Sequence, residues 1–187
     1  MHIIAHSMGG LDCRRMLARD KDIARRVKCL ITVATPHFGS PVANAVLKRG
    51  PLGLPNPTRL LTHYFAEDLG ALKDLRVRKD DYPQDENVDG VKYFCVGCDG
   101  GPIHRSPVFA LTASIGGFGD VRNDGVVSLE SASLTNHREG LRTTWPVDHG
   151  GAIGWPSGVG ETTSAAQHPP PDHQQRYEEL LGWLLEP

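Results

Sequence analysis

Short apolar runs alternate along the chain with segments in which apolar and charged positions recur at helical spacing. Residues 2–6 (HIIAH) are typical of a short strand, and residues 11–27 are typical of an amphipathic helix. The runs KCLITVAT at 28–35 and VKYFCVG at 91–97 are mainly apolar, as strands buried on both faces require. Strands separated by helical segments predict an α/β fold with a mainly parallel sheet and flanking helices.

The segment between the second and third strands is too long for a bare loop in a compact domain. PVANAVLKRG at 41–50 and TRLLTHYFAEDLGALKDLRV at 58–77 predict helices, with GLPNP between them. This helical insertion, at about residues 41–86, either packs on the sheet or forms a lid over an apolar substrate site. Both arrangements bury an apolar helix face, so the pattern leaves both open.

The C-terminal part of the chain begins with a Gly-, Pro- and Ser-rich stretch at about residues 154–172, which predicts an exposed loop. QQRYEELLGWLL at 174–185 then predicts a short helix. The sequence contains no internal repeats. Its 187 residues are enough for one globular domain with a core of its own, so we expect a single domain over 1–187.

Composition and charge narrow the function classes. The net charge of -2 gives no electrostatic reason to expect a nucleic acid partner. Four cysteines are too few for a disulfide scaffold in a chain of this size. Cys95 and Cys98 form a CxxC, but no second pair or suitably spaced histidines accompany them, which favours two ordinary thiols in a buried strand. We predict neither a metal nor a cofactor.

The stretch AHSMGG places Ser7 between the first strand and the first helix. A nucleophile at the end of a parallel strand must turn sharply into the next helix, which strains its backbone and requires small residues nearby. The stretch is a G-x-S-x-G elbow with Ala5 in place of the first glycine. Because a helix N-terminus favours negative charge, we predict the backbone N–H of Met8 as an oxyanion donor. A structural turn and a glycine-rich phosphate-binding loop are the alternatives, and the phosphate-binding loop would need the GK[ST] ending, which is missing.

An elbow serine needs an orienting carboxylate and a base later in the chain. We predict Asp124, in RNDGVVSLESA, as the acid at an exposed turn after a sheet region, although NDG alone is typical of a hairpin turn. We predict His149, in WPVDHGGAIGW, as the base, with Trp145, Ile153 and Trp155 as an apolar wall. Three other histidines and one other acid are alternatives: His137, His168, His173 and Asp148.

Four segments in a fixed order resemble the serine lipases of the α/β-hydrolase fold, specifically the triacylglycerol lipase group: AHSMGGLDCRRML, CLITVATPHFGSPVA, NDGVVSLESASL and VDHGGAIGW. The resemblance implies that Ser7, Asp124 and His149 are the catalytic triad and that Met8 supplies one oxyanion N–H. Lipids or small esters are then the expected substrates. The chemistry is acyl transfer through an acyl-enzyme on Ser7, which water then hydrolyses.

The TPHxGS segment of that group is matched by His37, Gly39 and Ser40, for which we expect a structural role. Some bacterial members bind a structural calcium through an aspartate two residues after the catalytic histidine. Because Gly151 stands at that position here, we predict no calcium.

Several strands precede the elbow strand in the α/β-hydrolase fold, and a loop among them supplies a second oxyanion donor. We therefore expect this sequence to be the C-terminal part of a longer lipase-like fold, with the elbow strand exposed along one side. A lipase or carboxylesterase is the leading hypothesis, with contact to a lipid surface if the insertion is a lid. A thioesterase or acyltransferase would use the same triad, and a non-catalytic remnant is the hypothesis from a different class.

Overall fold

The computed structural model describes residues 1–49, 73–77, 87–101, 106–134, 141–155 and 171–185. These residues contain a four-stranded sheet in the order β1-β2-β3-β4. Its strands are β1 (His2–His6), β2 (Cys29–Val33), β3 (Lys92–Cys98) and β4 (Leu141–Trp145). Every neighbouring pair is parallel, which confirms the predicted α/β class with a mainly parallel sheet.

Six α-helices lie in the same described parts of the chain: α1 (Met8–Arg19), α2 (Lys21–Ala24), α3 (Pro41–Arg49), α4 (Pro107–Gly116), α5 (Leu129–Ala132) and α6 (Pro171–Trp183). A 3₁₀ turn follows β4 at Gly151–Ile153. None of the described helices is long and apolar enough to cross a bilayer.

The first predicted helix, over 11–27, is two helices that meet at Asp20. The side chain of Asp20 accepts hydrogen bonds from the N–H groups of Asp22 and Ile23, both at 3.0 Å. An aspartate in this position caps the N-terminus of a new helix, so the chain turns at Asp20 although the apolar spacing continues.

Two clusters of the core lie on opposite faces of the sheet, and β2 contributes to both. Ile31 and Val33 belong to the part that contains Leu180 and Trp183 of α6. Leu30 belongs to the part that contains Leu17 of α1. Because side chains alternate along a strand, a strand that lies between β1 and β3 and is covered on both faces is mainly apolar, and its one polar side chain, Thr32, is hydrogen-bonded. All five residues of β2 are buried, whereas β1 lies at one edge of the described sheet.

Three expectations about the connections have different outcomes. The helix expected over 41–50 is α3. The helix expected over 58–77, and with it the question of a lid, lies largely outside the described residues, as does most of the loop expected at 154–172. α6 begins at Pro171, close to the approximate C-terminal bound given for that loop. Proline suits the first position of a helix, where its missing N–H has no partner to lose.

Candidate active site

Ser7 lies where β1 turns into α1, at the carboxyl end of the sheet. Its backbone has φ 53° and ψ -131°, and its side chain makes no capping hydrogen bond to α1. Its N–H donates to the carbonyl of Val33 at 2.9 Å, which ties the turn to β2. A positive φ costs a residue with a Cβ about 1–3 kcal/mol, so the surrounding structure holds Ser7 in a strained turn. This is the strand-turn-helix geometry that the sequence predicts.

The two glycines after Met8 differ in what surrounds them. A Cβ added to Gly10 would lie 2.1 Å from Oγ1 of Thr35, a fully buried residue that follows β2. A Cβ added to Gly9 would meet nothing within 4 Å. The close approach of α1 to the end of β2 therefore depends on Gly10, and space alone does not require a glycine at position 9.

The three residues predicted as a triad lie together. Nε2 of His149 is 2.8 Å from Oγ of Ser7, and Nδ1 of His149 is 2.7 Å from Oδ2 of Asp124. Because an ionised carboxylate only accepts hydrogen bonds, Nδ1 carries the proton and Nε2 is left to accept the hydroxyl proton of Ser7. His149 is 3% exposed and Asp124 is fully buried, so the pair is shielded from water.

The prediction that Asp124 lies at an exposed turn after a sheet region was wrong. Asp124 follows α4 and is 0% exposed. Its Oδ1 accepts hydrogen bonds from the N–H groups of Val126 at 2.8 Å and Val127 at 2.7 Å, while Oδ2 bonds His149. A buried carboxylate is tolerated when its oxygens are paired in this way. The turn is therefore directed inward, and Gly125, at φ 99°, packs against the backbone of Phe109.

The alternative acid, Asp148, has a different role. Its two carboxylate oxygens accept the N–H groups of Ser106 and Gly151, each at 2.7 Å. These bonds fasten the segment that carries His149 to the start of α4. Of the alternative bases, His173 lies in α6 beside Tyr177, with ring centroids 4.8 Å apart. His137 and His168 lie outside the described residues.

Two rings that sequence reasoning missed lie beside the ring of His149. Its centroid is 4.7 Å from that of His6 and 6.0 Å from that of Phe109. His6 belongs to the AHSMGG stretch but was given no role of its own, whereas Phe109 comes from α4 and no local signal points to it. Of the residues predicted as an apolar wall, Trp145 packs in the core against Tyr177, with ring centroids 5.5 Å apart. The other two are partly open to solvent, with exposed fractions of 42% for Ile153 and 45% for Trp155.

His6 is also bonded to the main chain of His149. Its Nε2 is 3.1 Å from the carbonyl oxygen of His149. Burial, followed by the neighbouring His149, lowers the pKa of His6 to about 3. His6 is therefore neutral at pH 7, and a neutral ring beside His149 does not repel a positive charge that forms there.

The TPHxGS segment holds the surroundings of the site together. The ring of His37 is buried between Arg14, which donates to its Nδ1 at 3.3 Å, and Thr32, whose Oγ1 is 3.0 Å from its Nε2. Burial and then the Arg14 charge lower the pKa of His37 well below its usual value. Ser40 donates its hydroxyl to the carbonyl of Val126 at 2.6 Å, two residues after Asp124. These contacts agree with the structural role expected for this segment.

Met8 is the first residue of α1, so its N–H has no carbonyl four residues earlier in the helix to bond. Its role as an oxyanion donor stays a prediction. Cys95 and Cys98 lie in β3 with their side chains buried, as expected of thiols in a buried strand. Across the described residues, no group of three or more His, Cys, Asp or Glu side chains is arranged to hold a metal ion. Gly151, at the position where some lipases carry a calcium ligand, lies in the 3₁₀ turn.

Comparisons with known proteins agree with this fold. A family model described as a PGAP1-like alpha/beta domain matches residues 1–48. Triacylglycerol lipase 2 of Saccharomyces cerevisiae is 29% identical over 162 residues, which are 83% of this chain and 46% of that protein. The chain thus spans less than half the length of this relative.

Solved structures of lipases and esterases have the same fold. A metagenomic carboxyl esterase matches 98% of this chain and 56% of its own, with a TM-score of 0.60 and 18% identity. Staphylococcus hyicus lipase matches 98% of this chain and 69% of its own, with a TM-score of 0.57 and 18% identity. The four-stranded parallel sheet and these similarities together show that the chain has the α/β-hydrolase fold and that its sequence is similar to that of a lipase.

Proposed function

We propose that this protein is a serine hydrolase that cleaves carboxylic ester bonds of lipids through an acyl-enzyme on Ser7. The observation that carries the proposal is the continuous hydrogen-bonded line from Ser7 Oγ through His149 to Asp124, at 2.8 and 2.7 Å. These distances are those of a nucleophile, a base and an orienting acid already in bonding reach. The strained backbone of Ser7 supports the same assignment, because strain of this kind is kept where it serves a function.

In the proposed first step, Nε2 of His149 takes the hydroxyl proton of Ser7 while Oγ attacks the ester carbonyl carbon. Negative charge then moves to the carbonyl oxygen, where the N–H of Met8 and the N-terminus of α1 stabilise it. His149 gives its proton to the departing alcohol. Asp124 stabilises the transient imidazolium and keeps Nδ1 protonated.

In the second step, water attacks the acyl group on Ser7 with His149 again acting as the base, and the released acid restores the serine. General-base help contributes about 10²–10⁴ in rate, and the loss of one oxyanion donor costs about 10²–10³. The base and the oxyanion donor thus contribute factors of similar size to the rate.

The relative named triacylglycerol lipase, together with the resemblance of four segments to that lipase group, supports a lipid ester as the substrate class. Contact with a lipid surface through the insertion at about 41–86 belongs to the same proposal. A lid predicts that activity rises sharply when the substrate forms an emulsion, whereas an open site hydrolyses dissolved short esters equally well. Hydrolysis of acyl thioesters in preference to both would instead indicate a thioesterase.

The proposal is tested by incubating the chain with a fluorophosphonate and measuring its intact mass. We expect one adduct per chain, and none in Ser7→Ala or His149→Ala. Ser114→Ala is the matched control, because this serine is exposed in α4 and should not affect labelling. Labelling that persists in Ser7→Ala would show that the nucleophile is assigned wrongly. Melting temperatures of all variants separate a chemical effect from unfolding.

A further inference from the structure

All four polar atoms of His149 are bonded by residues of the site. The ring uses Nδ1 for Asp124 and Nε2 for Ser7. The backbone N–H donates to the carbonyl of Asp124 at 2.9 Å, and the backbone carbonyl lies 3.1 Å from Nε2 of His6. His6 thus bonds the backbone carbonyl of His149, while Asp124 bonds its backbone N–H.

The contact from His6 depends on the strained turn at Ser7. Side chains of consecutive strand residues point to opposite faces, so residues 6 and 7 of a regular strand would not both reach one partner. The positive φ of Ser7 breaks this alternation. As a result, His6 reaches the main chain of His149 while Ser7 reaches its ring, and two neighbouring residues hold the base at two points.

The chemistry of this contact determines which ring nitrogen of His6 carries a proton. A carbonyl oxygen only accepts hydrogen bonds, so Nε2 of His6 must carry the proton and donate it. The titratable groups that face His6 are His149 and Asp124. Burial and then His149 disfavour a positive charge on His6, and they outweigh the opposing effect of Asp124. The ring of His6 lies 4.7 Å from the ring that becomes an imidazolium during acyl transfer. A second positive charge at this distance would raise the barrier to that step.

We propose that His6 is a positioning residue for the base: as an uncharged Nε2–H donor it anchors the main chain of His149 and so holds the His149 ring in bonding reach of Ser7. This inference rests on the proposed function. It assigns His6 no contact with the substrate. Its loss should therefore lower kcat and leave KM nearly unchanged, because a misplaced base slows the chemical step without removing a substrate contact.

The kinetic test compares His6→Leu with His6→Gln on a dissolved p-nitrophenyl ester. Leucine has no donor, whereas the glutamine amide can still donate to the carbonyl of His149. We expect kcat to fall about 10- to 100-fold in His6→Leu, with KM within about 2-fold, and to recover most of this loss in His6→Gln. Equal losses in both variants, or a change confined to KM, would overturn the positioning role.

A second measurement does not depend on activity. Nitrogen-detected NMR of ¹⁵N-histidine-labelled protein should show His6 as the neutral Nε2–H tautomer from pH 7 down to about pH 5. The ring signals of His149 should move in His6→Leu and stay close to the wild type in His6→Gln. A His6 that carries its proton on Nδ1, or that titrates near its ordinary pKa, would overturn the inference. If the wild-type chain shows the expected tautomer but reacts with neither ester nor fluorophosphonate, the proposed function fails and the anchoring contact stands.

Discussion

Replacement of Gly10 by alanine tests whether the elbow depends on one close contact. A new methyl group at this position would lie 2.1, 2.7 and 2.9 Å from Oγ1, Cγ2 and Cβ of Thr35. None of these atoms is the far end of a flexible side chain. Thr35 is fully buried, and its β-branched side chain has little freedom to rotate away. The strain must therefore be relieved by moving α1 away from β2.

The expected cost follows from two opposing effects. Overpacking a closed site costs about 1–3 kcal/mol, and contacts this short place Gly10→Ala at the upper end. Alanine regains up to about 1 kcal/mol through its better helix propensity, so the net loss is about 2 kcal/mol. For a domain of this size, that lowers Tm by about 4–8 °C. Gly9→Ala is the matched control: it adds the same methyl group to open space and should leave Tm unchanged or slightly higher.

The assay is thermal unfolding of wild type, Gly9→Ala, Gly10→Ala, Thr35→Ala and the double variant Gly10→Ala/Thr35→Ala. Thr35→Ala removes two of the three clashing atoms, and Oγ1 of Thr35 has no hydrogen-bond partner among the described residues. The double variant should therefore be more stable than the sum of the single effects predicts, by about 1 kcal/mol or more. Equal shifts of Tm in the two glycine variants would refute the close-contact argument. So would additive effects of Gly10→Ala and Thr35→Ala on stability.

Three further predictions concern the base and its surroundings. Asp124→Asn should lower kcat/KM about 10³–10⁴-fold, because an amide N–H at Oδ2 forces His149 to carry its proton on Nε2; a loss below about 10-fold would contradict the assigned acid. Acidification from pH 6.5 to 4 should lower the free energy of unfolding by up to about 1.4 kcal/mol per pH unit through His6, because burial lowers its pKa to about 3 and only the unfolded chain binds this proton. Urea unfolding at several pH values should show that the unfolding free energy of His6→Gln depends less on pH than that of the wild type. An unchanged pH dependence would contradict the burial of a neutral ring. Tyr177→Phe removes the hydrogen bond to the carbonyl of Ala152 at 3.2 Å and should cost about 1 kcal/mol of unfolding free energy, whereas an unchanged midpoint would show that the bond contributes nothing.

The central strands could be predicted because they are buried on both faces. In β2 and β3 nearly every position is buried, so the apolar pattern is continuous and has one interpretation. The edge strand β4 has no such pattern. Its Arg142 lies 4.4 Å above the ring of Phe94 and 4.6 Å above that of Trp183, so a charged side chain covers apolar surface there. The pattern of apolar and polar residues does not show that a charged side chain packs on aromatic rings.

The helix α4 was missed although its end signals are present in the sequence. Ser106 accepts the N–H of Phe109, Pro107 occupies the first helical position, and Gly117 ends the helix at φ 67°. A serine and proline before an apolar segment, with a glycine after it, are the usual signs of helix ends. The residues at its two ends could therefore have predicted this helix. The contact of its Phe109 with the ring of His149 depends on the fold and has no such local sign.

The proximity of Ser7, Asp124 and His149 could be predicted because the elbow motif is local and the order of the acid and base segments along the chain is fixed in the group that the sequence resembles. The burial of Asp124 could not, since the NDG turn has the same sequence whether it faces solvent or the core. What turns it inward is the combination of two N–H donors from its own turn with the ring of His149. The second of these contacts joins residues 25 positions apart, which no local pattern records.

The position of His149, the proposed base, is thus set by several segments that are far apart in the chain. His6 holds its carbonyl from the end of β1, and Asp124 holds its ring and its N–H. The 3₁₀ turn that follows is bonded from α6, where Arg176 donates to the carbonyl of Gly151 at 3.1 Å. A shift in any of these supports moves Nε2 relative to Ser7, and displacement of a reacting atom by about 1 Å can cost a factor of 10² in rate. Substitutions in α6, which follows the base in the chain, should therefore reduce the rate of ester cleavage through the segment they hold.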